Sequence, residues 1–439
     1  MRHRALIALV LVAVVAVAAR AARREPNWAQ WRGPAGQGVS AESSLPAEWA
    51  PDRRVAWKMP IPGRAFSSPI VWGSRVFLTT AIEGDAIAGH VPLKHTIGGE
   101  PWRHPDAMAG NLRHTFQVLA LDAASGRTLW TQTAYEGPVY DDRHRKSSYA
   151  APTPVTDGAR VYAYFGTEGL YAFTFDGKLA WKAILGKIGG LSVGVSTSPV
   201  LHGNLVIVQA DEENGDASFI VAYDTATGRE AWKVSRKGNS VSWGTPVIAT
   251  SGSRPQLVAT SNERIVSYDP ATGKELWSEP GLESNAVPSP VLADGLVIVS
   301  AGYPDKKTVA LRLETKPGEP RRVWSYDKGT AYVVSPIVYG DHLYLSTDNG
   351  ILTCLDVRTG RVRYEGGRPP VPSTFMASPV AHGGHLFLTS EDGETFVIKA
   401  GPTFSVVRTN SIGEPVYASL ALADGTVYIR GEKHLFAVR

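Results

Sequence analysis

Five of the chain's eleven histidines, His90, His95, His104, His114 and His144, fall within 55 residues. Imidazoles are common metal ligands, so zinc or copper binding is the first chemistry to consider. The spacings of the first four (5, 9 and 10 residues) match no compact metal motif. Gly98, Gly99, Pro101 and Pro105 instead mark a long irregular loop. His90, His95, His104 and His114 are therefore only weak metal candidates, and no metal is expected. The insertion 83–114 reads as a lid, since loops of this length inside a compact domain are often functional. Just beyond it, Asp141-Asp-Arg-His-Arg-Lys-Ser-Ser-Tyr149 carries His144, Arg145 and Lys146 toward an aromatic residue. Such a group suits a carboxylate or another anion, which Arg grips in bidentate fashion. The plainer alternative is a solvated loop whose Arg and Lys pair with Asp141 and Asp142.

Other chemistry is excluded by what the chain lacks. It has no Gly-rich phosphate loop, no GxSxG elbow and no HExxH pair. The lone Cys354 rules out an intrachain disulfide, a CxxC redox motif and a Cys-rich zinc site. Asp211-Glu-Glu-Asn-Gly-Asp216 does not follow the calcium-loop order and reads as a solvated turn. The formal charge of +4 includes Arg2, Arg4 and Arg20, so a chain starting after Ala22 carries 4 − 3 = +1. Nothing in that charge predicts a nucleic-acid partner.

The elements that position these residues come from a repeat. Ala222-Tyr-Asp-Thr-Ala-Thr-Gly-Arg-Glu-Ala-Trp232 recurs as Ser267-Tyr-Asp-Pro-Ala-Thr-Gly-Lys-Glu-Leu-Trp277 and as Ala120-Leu-Asp-Ala-Ala-Ser-Gly-Arg-Thr-Leu-Trp130. Shorter or divergent copies end at Trp181, Trp324 and Tyr364. A small residue followed by Pro precedes each copy, and the prolines from Pro154 to Pro379 lie 45, 47, 44, 46 and 43 residues apart. Each unit holds four short β-rich runs between turn residues, and no stretch of the body keeps a helical apolar period. Four strands per unit at this period predict propeller blades.

The expected fold is all-β, an eight-bladed β-propeller of four-stranded blades, with seven blades as the alternative. Seven copies run from Phe66 to about Pro415, and Tyr417 to Val438 offers three more strands. Val55-Ala-Trp57-Lys-Met-Pro60 looks like the end of a repeat without its beginning, so an N-terminal strand should close the last blade. Trp57, Trp130, Trp181, Trp232, Trp277 and Trp324 occupy equivalent outer positions and should dock on the neighbouring blade, each indole N–H meeting a backbone carbonyl. The residues before each small-Pro step should ring one mouth of the axial channel: Phe66, Tyr149, Val195, Trp243, Ala286, Val333, Met376 and Tyr417. Of these Tyr149, Trp243, Met376 and Tyr417, with His144, Arg145 and Lys146, form the expected ligand- or partner-binding surface; the alternative is that they simply plug the channel.

Ahead of the propeller, Met1 to Arg4 is basic and Ala5 to Ala19 is an unbroken apolar run of 15 residues. A spanning helix needs roughly 17–25, so residues 1–22 read as a signal peptide. No Cys stands near its end to carry a lipid, which predicts a periplasmic or secreted protein without a transmembrane anchor after cleavage. Residues 23–54 form a lead-in segment and residues 55–439 the propeller.

The Asp-x-x-x-Gly-Lys/Arg-x-x-Trp form resembles the tryptophan-docking motif of the pyrroloquinoline-quinone-type (PQQ-like) propeller repeat family, from Trp57 onward. Asn27-Trp-Ala-Gln-Trp-Arg-Gly-Pro34 resembles the start of its exported bacterial members. The resemblance implies one of two roles. One is that of the quinoprotein dehydrogenases, which hold the quinone on the axis between a Trp and a vicinal Cys-Cys disulfide, with calcium and a catalytic acid; a single cysteine argues against it. The other is that of the propeller lipoprotein of outer-membrane β-barrel assembly, a non-enzymatic scaffold, here without the lipid-bearing Cys. The expectation is an exported, monomeric, non-enzymatic scaffold or ligand-binding module of the cell envelope, with an envelope protein or extracellular ligand as partner. A divergent quinone-dependent oxidoreductase and a carbohydrate-binding module are the alternatives.

Overall fold

The computed structural model describes residues 27–250 and 254–439, so the proposed signal peptide lies outside the described residues. Eight four-stranded antiparallel sheets follow one another around a ring. Their innermost strands are Ile70–Trp72, Val155–Thr156, Val200–His202, Val247–Ala249, Val291–Ala293, Ile337–Tyr339, Val380–His382 and Ala421–Ala423, which number blades 1 to 8. The innermost strands of blades 1 and 8 are neighbours, so the ring closes. Blade 8 takes its outermost strand, Val55–Pro60, from the N-terminal side, paired antiparallel to His434–Val438. Eight blades with N-terminal closure is therefore the architecture. No helix among the described residues is long and apolar enough to cross a membrane.

Burial explains why the apolar pattern differs from strand to strand. Leu205–Ala210, the second strand of blade 3, is buried at every position because flanking blades cover both its faces. The outermost strand of the same blade, Glu230–Ser235, has only one covered face and alternates with solvent. Continuous apolar strands inside and alternating strands outside are the signature of stacked sheets.

The tryptophans join the blades. The indole N–H of Trp57 donates to Ala123 O at 3.0 Å, Trp130 to Phe175 O at 2.8 Å and Trp181 to Thr225 O at 2.9 Å. Trp232 reaches Pro270 O at 3.2 Å and Trp324 reaches Val357 O at 3.0 Å. In each case the acceptor lies in the following blade. Glycine is required there: a Cβ on Gly228 would sit 2.5 Å from the Trp181 ring, and the residue holds φ +68°. Trp277 departs from the expectation, because its N–H meets a side chain of its own blade, Gln256 Oε1, at 2.7 Å. Gln256 Nε2 then donates to Leu313 O of blade 5 at 3.1 Å, so the amide relays the bond. Blade 5 has the long turn Leu313-Glu-Thr-Lys-Pro-Gly-Glu-Pro320 instead of the short Thr-Gly turn, which accounts for the substitute.

The small residue before each proline has a role that its size does not reveal. Ser68 N donates to Thr153 Oγ1, Thr153 N to Ser198 Oγ, Ser198 N to Thr245 Oγ1 and Thr245 N to Ser289 Oγ, at 2.8–3.0 Å. Ser289 N continues to Ser335 Oγ, Ser335 N to Ser378 Oγ and Ser378 N to Ser419 Oγ, at 2.9–3.0 Å. Seven hydroxyl–amide bonds thus run from blade to blade around the axis. The eighth link would end on Ser68 Oγ, which is buried with no hydrogen-bond partner among the described residues.

The lead-in segment closes one end of the channel. Trp28 exchanges both backbone bonds with Val71, and Ala29 O accepts from Thr156 N. Further on, Gln37 Oε1 accepts from Leu292 N, Ser40 N donates to Ala381 O, and Glu42 caps Asp424 N. These contacts fall on the innermost strands of blades 1, 2, 5 and 7 and just past that of blade 8. Arg32, fully buried, donates from Nη2 to Pro336 O of blade 6 at 2.7 Å. Burial without a carboxylate partner brings its pKa down to about 9, which still leaves it charged at neutral pH.

The belt makes a prediction about two serines. Ser335→Ala removes the acceptor of the buried Ser289 N–H and should cost about 1–3 kcal/mol in urea unfolding. Ser68→Ala removes a hydroxyl that bonds nothing and should be neutral or stabilising. Equal losses in the two variants would remove the belt from the stability of the ring.

Candidate functional site

The open mouth lies at the other end, where the chain enters each innermost strand. The belt fixes its register: two residues before each Ser or Thr stand Phe66, Ala151, Ser196, Trp243, Val287, Val333, Met376 and Tyr417. Trp243, Met376 and Tyr417 thus hold the expected position and are half-buried. Tyr149, Val195 and Ala286 fall out of this register by two, one and one residues. Tyr149 lies in the wedge between blades 1 and 2, with its ring 4.6 Å from His114 and its hydroxyl on Asp141 O at 2.8 Å. Reading back from the proline missed this because the approach to blade 2 turns twice before the step.

The rings of Phe66 and Tyr417 stack at 4.5 Å, and the Arg64 guanidinium lies 5.0 Å and 5.9 Å from them. Lys146 crosses from the approach to blade 2 and binds both oxygens of Glu391 in blade 7, at 2.9 and 3.2 Å. Arg145 pairs with Asp106 at 2.7 Å, and His144 Nε2 lies 3.3 Å from the same carboxylate. The cations of this loop therefore bind acids elsewhere, and the expected pairing with Asp141 and Asp142 does not occur. Arg64, Asp106 and Glu391 were not visible as site residues in the sequence, because each acts across a long chain separation.

Asp141 and Asp142 instead hold down the insertion. Its base continues blade 1, with Glu83 opposite His114 and Ala86 opposite Leu112, and its tip is the hairpin His95–Ile97 with Glu100–Trp102. The His95 side chain is fully enclosed: Nε2 meets Asp141 Oδ1 at 2.8 Å and Nδ1 meets Glu213. Both ring nitrogens are thus engaged, and Ser192 N–H also lies 3.0 Å from Nε2. Arg103 Nε donates to Asp142 at 2.9 Å, and His90 Nε2 faces Val139 O at 2.9 Å. The lid therefore reaches blade 3 through Glu213.

The same contacts overturn the reading of 211–216 as a solvated turn. Asp211 and Arg236 form a fully buried bidentate pair, Nε–Oδ1 2.7 Å and Nη2–Oδ2 3.0 Å, completed by Gln209 and the Tyr268 hydroxyl. Glu213 clamps His95, and Glu212 accepts from the amides of Asn214 and Ala217. Only the tip of the run faces solvent. Local sequence could not show this, since Arg236 follows 25 residues later and His95 precedes by 118.

The four weak metal candidates are not brought together. His90 and His114 bond the carbonyls of Val139 and Ala109, and His95 is held by its two acids. A different group forms: His104, Asp106 and His144 place ligand atoms within 4.8 Å of one another. Its second shell opposes a cation, however. His104 Nδ1 accepts from Asp106 N–H and His144 Nδ1 from Lys146 N–H, each at 3.0 Å. A metal-bound imidazole donates its other N–H, so both rings carry the wrong tautomer, and Arg145 already neutralises Asp106.

Comparison with known proteins follows this geometry. A family model described as outer membrane protein assembly factor BamB, of the PQQ-type repeat, matches residues 114–366. BamB of Burkholderia pseudomallei is 25% identical over 224 residues, 45% of this chain and 54% of that protein. The quinohemoprotein alcohol dehydrogenase ADH-IIG of Pseudomonas putida is 32% identical over 125 residues, 26% of this chain and 16% of that one. The chain thus spans about half or less of these relatives. Among solved structures, BamB from Moraxella catarrhalis superposes with a TM-score of 0.54 at 13% identity, covering 82% of this chain and 97% of that one. A europium-containing methanol dehydrogenase gives 0.65 at 12% identity, covering 94% and 91%. At such identities the structures speak for the fold alone. With the family model matching more than half of its length, the chain belongs to the BamB-like family of PQQ-type propeller repeat proteins.

Proposed function

We propose that the protein is an exported, non-enzymatic scaffold of the cell envelope that binds a protein partner or extracellular ligand on its open mouth. The observation that carries this is the contrast between the two ends of the channel. The chain's own residues 28–42 seal one end, while the other presents Arg64 on the Phe66–Tyr417 stack, with an insertion over blades 1 to 3 held by the enclosed His95 and its two acids. Aromatic residues with arginine on a preformed surface are the composition of interface hot spots. An envelope location accords with the outer-membrane assembly named for the BamB relatives.

The alternative, a quinone-dependent oxidoreductase, draws on the likeness to dehydrogenases, but the residues present do not fit the group. Cys354 is the chain's one cysteine and lies in the third strand of blade 6, its thiol pushed up to about 12 by burial. It can form no vicinal pair. The acids near the mouth are engaged: Glu391 by Lys146, and Asp348 by the N–H groups of Tyr332 and Val333. Adding pyrroloquinoline quinone with calcium should give no absorbance change and no alcohol or sugar oxidation; binding at micromolar quinone would reinstate the enzyme.

Two variants test the scaffold. His95→Ala leaves the carboxylates of Asp141 and Glu213 without their shared imidazole, a loss of about 1–3 kcal/mol for buried groups left unsatisfied. Amides of residues 87–103 should lose hydrogen-exchange protection while the inner strands keep theirs. The double variant Arg64→Ala/Tyr417→Ala should lose partners that the wild type retains from an envelope fraction. Equal retention would exclude the mouth as the binding surface.

A further inference from the structure

A groove of about 390 Å³ lies outside the mouth, between blades 1 and 2. Its walls are Tyr135, Pro138 and Tyr140 at the end of blade 1 and Tyr171 and Ile184 of blade 2. It shares Tyr140, Thr167 and Glu168 with an adjoining hollow of about 30 Å³, room for about one water. The Glu168 carboxyl therefore stands at the junction of the two spaces. Its Oε1 accepts from Tyr140 N–H at 3.0 Å, and no lysine, arginine or histidine among the described residues forms an ion pair with it.

The groups around Glu168 leave its charge uncompensated. Asp141 has the same sign and is committed to His95. Tyr135, Tyr149, Tyr164 and Tyr171 are phenols whose ionisation burial suppresses. His90 turns Nε2 to Val139 O, and the side chains of Lys182 and Lys187 are solvent-exposed. The Lys187 ammonium lies 5.5 Å from the Tyr140 ring, which shows that this ring face takes a cation.

We propose that this groove is a binding site for an alkyl ammonium group, with its stem on the tyrosine and Ile184 walls and its charge on the Glu168 carboxylate. The site offers apolar length, aromatic faces and one half-buried acid without an ion-pair partner, and an ammonium on an apolar stem supplies the missing charge. A free small amine and a lysine side chain of another protein share this chemistry. The inference does not depend on the mouth's partner.

Burial, with Asp141 adding to it, pushes the Glu168 carboxyl up to about 7. A ligand that binds only the ionised acid must release its proton, while alkyl amines stay charged up to about pH 10. Titration calorimetry of the full chain with n-pentylamine, N-acetyl-lysine methylamide and the neutral n-hexanol tests this at pH 6 and pH 8. At least one amine should bind about tenfold tighter at pH 8, with close to one proton released per amine bound at pH 6 and almost none at pH 8, since the ionised fraction rises about tenfold across a pKa near 7. Pentylamine alone would mark a small-amine site, and the lysine derivative would mark a partner's side chain; either supports the proposal. Glu168→Gln should bind at least tenfold more weakly and lose the pH dependence. Because the raised pKa costs the fold stability as pH rises from about 4.5 through 7, the same variant should melt above wild type at pH 8 and level with it at pH 4. Hexanol binding as tightly as the amines, tighter binding at pH 6, unchanged binding by Glu168→Gln, or no amine binding at all would overturn the proposal.

Discussion

The hydrogen bond from the backbone N–H of one blade's Ser or Thr to the hydroxyl of the next fixes the geometry on which the rest depends. The Ser or Thr that leads into each innermost strand stands at the edge of its sheet, where no strand of its own blade can take its amide, so that amide would be buried without a partner. A hydroxyl from the next blade meets that need and sets the height of each strand along the axis. Seven such bonds make the ring one register instead of eight independent sheets. The following proline, where present, gives up no bond, since its nitrogen has no hydrogen to donate.

The seam is built differently. Between blades 8 and 1 the hydroxyl of Ser68 is unbonded, and closure rests on other contacts. The strand Val55–Pro60 completes blade 8 from the N-terminal side, and its Trp57 docks on Ala123 of blade 1. Arg430, fully buried in blade 8, donates to Thr79 O of blade 1 at 2.8 Å. Arg439 adds a bond to Ala123 O at 2.7 Å. A ring closed by both ends of one chain removes the open edges, and it does so where the belt is interrupted.

Much of this was legible in the sequence, and the reason is that the fold is local. Each blade is largely a run of hairpins, so most strands and turns lie within one period, and six blades repeat the docking Trp. The failures are long-range. Asp211 looked solvated because its partner Arg236 belongs to another segment, and the Asp141–Asp142 pair looked like a match for its own loop. The mouth register slipped at Tyr149, Val195 and Ala286 because loop length before the step varies, whereas the Ser/Thr position does not. Arg32 and the sealing of one mouth were invisible, since a Gly-rich lead-in carries no periodicity. Trp277 shows the same limit in a docking residue: the motif was recognised, but its acceptor depended on the unusual turn of blade 5.

This division has a functional consequence. Features shared by all eight blades hold the ring together and cannot distinguish one partner from another. In the proposed scaffold role, specificity would fall to what breaks the symmetry: the insertion, the approach loop 141–149 and the acidic turn 211–216. Those three segments are tied to one another by the enclosed His95 and its two carboxylates, not to solvent. Buried hydrogen-bonded groups of this kind add little net stability, but leaving one member unsatisfied is costly. They therefore fix one arrangement of the irregular loops against its alternatives. The regular ring supplies the rigid frame, and charge pairing over blades 1 to 3 fixes the shape of its one-sided surface.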